Sequence, residues 1–185
     1  MSRLEPIETA PSFLGKFMSF AQRRMLGKAI TPSKVVYNRL PRMWNLSWAL
    51  VNLELRGYTL DDELGLLIHV RASLLNGCGF CADIAKARAV QQKLGMDKFA
   101  ALDDWESSSL FDARERAVLA YVDEMQRTRD VCDATFEELR KNFNEREIVE
   151  VVVANAIANF YNMLNVPLRI EDDGLQAIAE RRLQQ

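Results

Sequence analysis

The chain has 185 residues, 49% of them apolar and 27% charged, with 24 Lys and Arg against 26 Asp and Glu. That length suits one domain whose core needs no disulfide or metal staple. A formal net charge of −2 leaves no electrostatic footprint for nucleic acid, and no window reaches the roughly 18 uninterrupted apolar residues of a membrane span.

The predicted elements are helices throughout. The opening "MSRLEPIETAPSF" carries Glu5 and Glu8 where a secretory leader would be basic and then apolar, so the expected compartment is the reducing cytoplasm. From Pro11 to about Gly27, Phe13, Leu14, Phe17, Phe20, Ala21 and Met25 recur at helical spacing, with Lys16, Arg23 and Arg24 largely opposite. This N-terminal helical arm, residues 1–30, is expected to pack on the body or on another subunit. Its few charges and its place before a globular body argue against a helix lying on a membrane. Thr31-Pro32 supplies a cap and a first-turn proline for a short helix ending near Pro41.

"MWNLSWALVNLELR", Met43 to Arg56, is apolar nearly all round, which predicts burial within the chain or between subunits. Thr59 is expected to cap a helix over about Leu60–Leu75, with Asp61, Asp62 and Glu63 at its positive dipole end. Cys78 opens the next helix, with Gly95 as its C′ residue. Ser109-x-x-Asp112 reads as a capping-box variant, and Asp133 as the cap of "ATFEELRK". Asn144-x-x-Glu147 caps "EREIVEVVVANAIANFYNML", which stops at Val166-Pro167. Asp173-Gly174 introduces a last polar helix; the adjoining "EDDG" lacks the spaced ligands of a calcium loop and reads as a solvated helix start. The sum is an all-α chain, one domain over 1–185, without a solenoid repeat.

Chemistry concentrates in "NGCGFCADIAK", which places Cys78 and Cys81 three residues apart. The pair reads as a working dithiol, half of a metal site, or two small core residues. With Asn76 as N-cap, Cys78 falls in the first turn of a helix, where free N–H groups and the macrodipole favour a thiolate. Cys81 lies on nearly the same face, so the sulfurs can bond with little backbone movement. One sulfur can then be oxidised and the other resolve it. Gly77 and Gly79 leave the backbone beside the sulfurs open to a small substrate or partner thiol; they also suit a plain inter-helix turn. The remaining soft ligands, His69 and Cys132, are unpaired and distant in sequence, unlike the close pairs of a zinc site, so no metal is expected. Buried free cysteines are common in cores. The dithiol is the leading reading, and Cys132 has no role beyond flanking a helix start.

The run "RASLLNGCGFCADIAKARAVQQKLG", residues 71–95, resembles the carboxymuconolactone decarboxylase and alkylhydroperoxidase D-like family. "FNEREIVEVVVANAIANFYNMLNVPL", residues 143–168, is similar to that family's final core helix. With the helix before the cysteines, the resemblance covers about half the chain. It implies an orthogonal all-α helical bundle with a family-like core over 59–168, assembled as a homo-oligomer, and no cofactor: no metal, flavin or nucleotide. It further implies that Cys81 is the peroxidatic cysteine, passing through a sulfenic acid, and Cys78 the resolving cysteine. The substrate would be a small hydroperoxide, and the reductant a dithiol protein of lipoyl- or thioredoxin-like kind. Neither nucleic acid nor membrane enters as a partner.

The chain departs from the family pattern at its proton relay. The His four residues after the second cysteine is Ala85, and the Glu twelve residues before the first is Leu66. His69, three residues beyond Leu66 on nearly the same face, is the candidate to take over part of the relay; packing as an ordinary histidine is its other reading. Asp83 could hold water near the sulfurs or simply stabilise its helix. Two other functions compete. A decarboxylase-branch member acting on a small lactone acid would have no need of the cysteine pair. A degenerate, non-enzymatic, redox-sensitive oligomer would explain the missing relay.

Overall fold

Caps set the helix boundaries, and most of them are short-range features of the sequence. A computed structural model describes residues 2–184. Among these residues it contains nine α-helices and no strand: α1 (Phe13–Leu26), α2 (Arg42–Arg56), α3 (Asp62–Leu75), α4 (Gly79–Gln91), α5 (Met96–Ala100), α6 (Ala113–Thr128), α7 (Asp133–Asn142), α8 (Glu145–Asn165) and α9 (Leu175–Leu183). Ser12 caps α1 by accepting the Gly15 N–H at 3.0 Å, and Gly27 closes it in the left-handed conformation. Asn144 and Glu147 form the reciprocal capping box of α8, as expected.

Several boundaries differ from the sequence expectation, each for a physical reason. Asp61, not Thr59, caps α3, its carboxylate accepting the Leu64 N–H at 2.8 Å. Thr59 instead gives both its N–H and its hydroxyl to the Glu150 carboxylate of α8. The α6 box is Asp112 with Glu115, one turn later than the Ser109–Asp112 pairing. At α7 the cap position is Cys132, and Asp133 is already helical. Helix α4 ends at Gln91: Lys93 takes the left-handed turn, with Leu94 N–H bonded to Ala89 O and Lys93 N–H to Val90 O. That Schellman closure folds Leu94 onto the apolar cluster containing Ala89, and Gly95 is the N-cap residue of α5. Thr31 is tied by its N–H and hydroxyl to Asp173, and the turn after it continues as a π segment over Ser33–Tyr37.

Helix α3 is buried on two sides. Leu64, Ile68 and Ala72 pack with Val118 and Val122 of α6 and Val151, Ala154 and Ala158 of α8. Leu66, Leu67 and Val70 meet Ala82, Ala85 and Ala89 of α4, together with Phe99, Leu102 and Trp105. Arg71, buried between these layers, sends Nε and Nη2 to the Asp123 carboxylate at 2.6 and 2.7 Å and Nη1 to Leu102 O at 3.0 Å. A buried charge so paired and bonded is tolerable where a lone one would not be.

The expected burial of the α2 stretch does not occur within the chain. Only Met43 and Trp44 are buried there, while Leu46, Trp48, Leu53 and Leu55 face outward. Helix α1 likewise exposes Phe13, Phe17, Phe20 and Met25, Phe13 to 87%. No helix among the described residues is long and apolar enough to cross a membrane.

Candidate dithiol site

The site begins with the way α3 stops. Gly77 adopts φ +68°, Gly77 N–H bonds to Leu74 O at 3.1 Å, and Cys78 N–H bonds to Ser73 O at 2.8 Å. This is a Schellman closure with glycine at the left-handed position, where a side chain would be strained. Cys78 is thereby the third residue past α3 and at once the N-cap of α4, making no side-chain cap bond. Asn76 is therefore not the N-cap of α4 that the sequence suggested but the C-cap of α3. Its amide donates to Gln126 Oε1, Asn159 Oδ1 and Asn162 Oδ1 at 3.2, 3.1 and 2.8 Å. Cys81, the third residue of α4, occupies the helix's first turn.

The two sulfurs are joined in a disulfide, 2.05 Å S–S and 5.3 Å between Cα atoms. Both residues are buried, Cys78 exposed to 2% and Cys81 to 4%. Their surroundings are apolar: Phe80, Ala87 and Val90 of α4, Ile30, Val35, Ile170 and Leu175, with Tyr161 against the cluster. Burial, opposed by a contact with Ser47, pushes the Tyr161 phenol up, so it stays protonated at neutral pH. The one side chain among the described residues that hydrogen-bonds a site sulfur is Asn165, itself 3% exposed, whose Nδ2 donates to Cys81 Sγ at 3.3 Å. An open depression of about 420 Å³ lies alongside, lined by Gly77, Gly79, Val166, Arg169, Ile170 and Glu171 among others. Beyond the adjoining chain, no heavy atom stands within 4 Å of where a Cβ on Gly77 or Gly79 would sit.

The structure brings Cys78 and Cys81 together and draws the other two candidates elsewhere. His69 Nε2 lies 2.5 Å from Glu54 Oε1 on α2. Asp83 caps α9, accepting the N–H groups of Leu175 and Gln176 at 2.8 and 2.9 Å. Leu66 and Ala85, at the two relay positions, are both buried in one apolar cluster. Cys132 is a free, exposed cysteine beside Glu124. No group of three or more His, Cys, Asp or Glu among the described residues is placed to hold a metal ion. Sequence reasoning missed Asn165. The signal was present: Asn155, Asn159, Asn162 and Asn165 recur at three- and four-residue spacing along an otherwise apolar helix.

Known proteins bear on this geometry. Residues 41–124, from the start of α2 through most of α6, match the carboxymuconolactone decarboxylase family. The uncharacterized protein YnjA of Escherichia coli (strain K12) is 28% identical over 181 residues, 97% of this chain and 98% of its own. A solved structure from Agrobacterium tumefaciens, a protein of unknown function whose name offers the antioxidant defence protein AhpD as a candidate identity, is 29% identical. It superposes with a TM-score of 0.69 over 74% of this chain and 94% of that one. The debrominase Bmp8 shares the fold at 16% identity, with a TM-score of 0.82 over 99% of this chain and 100% of its own. A fold that carries unlike chemistries makes the cysteine pair, not the bundle, the informative feature. Over residues 41–124, which carry the cysteine pair, the chain matches the carboxymuconolactone decarboxylase family, and its fold is similar to that of the Agrobacterium structure.

Proposed function

We propose that the protein is a thiol-dependent oxidoreductase that reduces small hydroperoxides through a Cys78–Cys81 dithiol/disulfide cycle. The observation that carries this reading is the joined pair of sulfurs at the start of α4, beside a depression walled partly by glycine. In the reduced protein the Cys81 thiolate attacks the outer peroxide oxygen and breaks the O–O bond. The leaving alkoxide takes a proton and departs as an alcohol, and Cys81 becomes a sulfenic acid. The Cys78 thiol then attacks that sulfur, releasing water and forming the disulfide. A dithiol protein restores both thiols and is itself oxidised to a disulfide. No cofactor takes part, and no step is routed through His69, whose imidazole is held by Glu54.

Leu66 and Ala85 leave no carboxylate or imidazole at the relay positions, so thiol deprotonation depends on the helix start and its neighbours. Turnover is accordingly expected to be slow. The same observation favours one second reading, a redox-sensitive oligomer without catalytic turnover. Lactone decarboxylation makes no use of paired sulfurs. The uncovered apolar faces of α1 and α2 support self-association, and a reducing cytoplasm is the compartment in which the pair could cycle.

The test is peroxide consumption in a Cys132→Ser background, which removes the exposed thiol from the count. One equivalent of cumene hydroperoxide should remove two thiols from the reduced protein and one from its Cys78→Ser form, and leave the Cys81→Ser form unreacted. Repeated turnover with dithiothreitol supports the enzyme. Two thiols lost without turnover supports the redox-sensitive oligomer, and no thiol lost sinks both.

A further inference from the structure

We infer that Asn165 holds the negative charge on Cys81 in the reduced protein, standing in for the missing relay. The inference rests on the dithiol reading above and adds to it the group that activates the sulfur. Asn165 ends α8 and is buried, and its amide Nδ2 is 3.3 Å from Cys81 Sγ. A primary amide shut away from water is costly unless its hydrogens are taken up. A disulfide sulfur is a poor acceptor, so this contact repays little in the oxidised chain. A thiolate is a strong acceptor, and a hydrogen bond to the charged form favours that form. The amide's position therefore gains most once the disulfide has been reduced.

Its neighbours on α8 sharpen the contrast. Asn162 is bonded to Ser73 and Asn76, and Asn159 to Asn155 and Asn76, amide to amide or hydroxyl. Asn165 continues the same row but meets sulfur. The first turn of α4 acts in the same direction, since Cys81 sits among backbone N–H groups that have no helical partner.

The charged and titratable groups around Cys81 are few. Tyr161 of α8 is protonated, as described. On α4 itself, Asp83 is committed to the N-terminus of α9. On the segment between α8 and α9, Arg169, Glu171 and Asp172 line the depression, and Asp173 is paired with Lys28. On α3, His69 is held by Glu54. Asn165 is the donor that reaches the sulfur. When a dithiol reduces the bond and is itself oxidised to a disulfide, Cys81 is released as a thiolate, and the amide N–H holds the electron-rich sulfur without giving up its own proton.

The test uses no peroxide, so it can fail while the peroxidase reading stands, and the reverse. In a Cys78→Ala, Cys132→Ser background, the pH dependence of Cys81 alkylation by iodoacetamide reports where its thiolate forms. Cys78 makes no cap bond, so alanine leaves the helix start intact. The midpoint is expected below the ordinary thiol value of about 8.5 despite the burial. Asn165→Leu, which keeps the bulk and removes the donor, should raise it by about one pH unit, a tenfold loss of thiolate at pH 7. A purely structural Asn165 would lower the thermal midpoint of the Leu form and leave the pH profile where it was, which overturns the inference. Should the Leu form not fold, Asn165→Ala is read in its place: a midpoint raised by about one pH unit supports the inference, and an unmoved one overturns it.

Discussion

Asp83 Oδ2 accepts the backbone N–H of Leu175 at 2.8 Å, so the helix that starts at the disulfide also caps the last helix of the chain. The same carboxylate takes the N–H groups of Asp173 and Gln176 at 3.2 and 2.9 Å. Gly174, at the nominal cap position, has no side chain to do so. The segment lining the depression beside the cysteines is thus anchored to α4 at its far end. Asp83→Ala should cost about 1–3 kcal/mol, since three backbone donors lose a charged acceptor. Faster amide hydrogen exchange at Leu175 and Gln176 should accompany a lower thermal midpoint. Unchanged exchange at those amides would refute the assignment.

A second carboxylate joins distant parts of the chain and sets an acid limit. Burial works to raise the Glu150 carboxyl, but Arg146 and the N–H groups of Leu60 and Thr59 outweigh it and hold it below its usual 4.5. A carboxyl whose folded value is lowered adds stability that is complete above the unfolded value and disappears as pH falls through the folded one. Its contribution should therefore be intact at pH 6 and decline below about pH 4.5. Urea denaturation of Glu150→Gln should show a loss of about 1–3 kcal/mol at pH 7 that shrinks toward pH 3. A loss that stays constant across that range would contradict the assignment.

The two glycines flanking Cys78 should respond in opposite ways to alanine. Gly77 sits at φ +68°, so Gly77→Ala should destabilise by about 1–2 kcal/mol from backbone strain alone, no neighbour being within 4 Å of the new methyl. Gly79 has open space and no positive φ, and it is the first residue of α4. Gly79→Ala should leave thermal stability unchanged or raise it by up to about 1 kcal/mol. Because Gly79 lines the depression, the same change should slow reduction of the disulfide by a bulky dithiol more than by a small one.

The pairing of His69 with Glu54 ties α3 to α2 and gives a direct measure of whether the histidine serves the sulfurs. His69→Gln should lower the thermal midpoint while leaving thiol alkylation across pH 6–9 unchanged. A displaced alkylation profile with native stability would restore His69 to the proton path.

What was legible in the sequence is what depends on near neighbours. Helical period, the Asn144–Glu147 box and the three-residue separation of Cys78 from Cys81 are properties of one helix or one turn, so the all-α class and the approach of the two sulfurs follow from them. Cap identity was legible only where no distant group competed. Thr59 reads as a cap until Glu150, ninety-one residues away, takes its donors.

Tertiary structure decided the rest, because partners far apart in the chain choose among side-chain options that local pattern leaves equal. His69 and Asp83 both stand near the cysteines in sequence, yet packing gives one to α2 and the other to α9. Asn165, eighty-four residues beyond Cys81, meets its sulfur only because α8 lies against α4. The apolar run in α2 reads as core, but a chain of this length fills its core with α3, α4, α6 and α8 and leaves that face to solvent or to another copy. Periodicity tells which residues share a face; only the fold tells what the face meets.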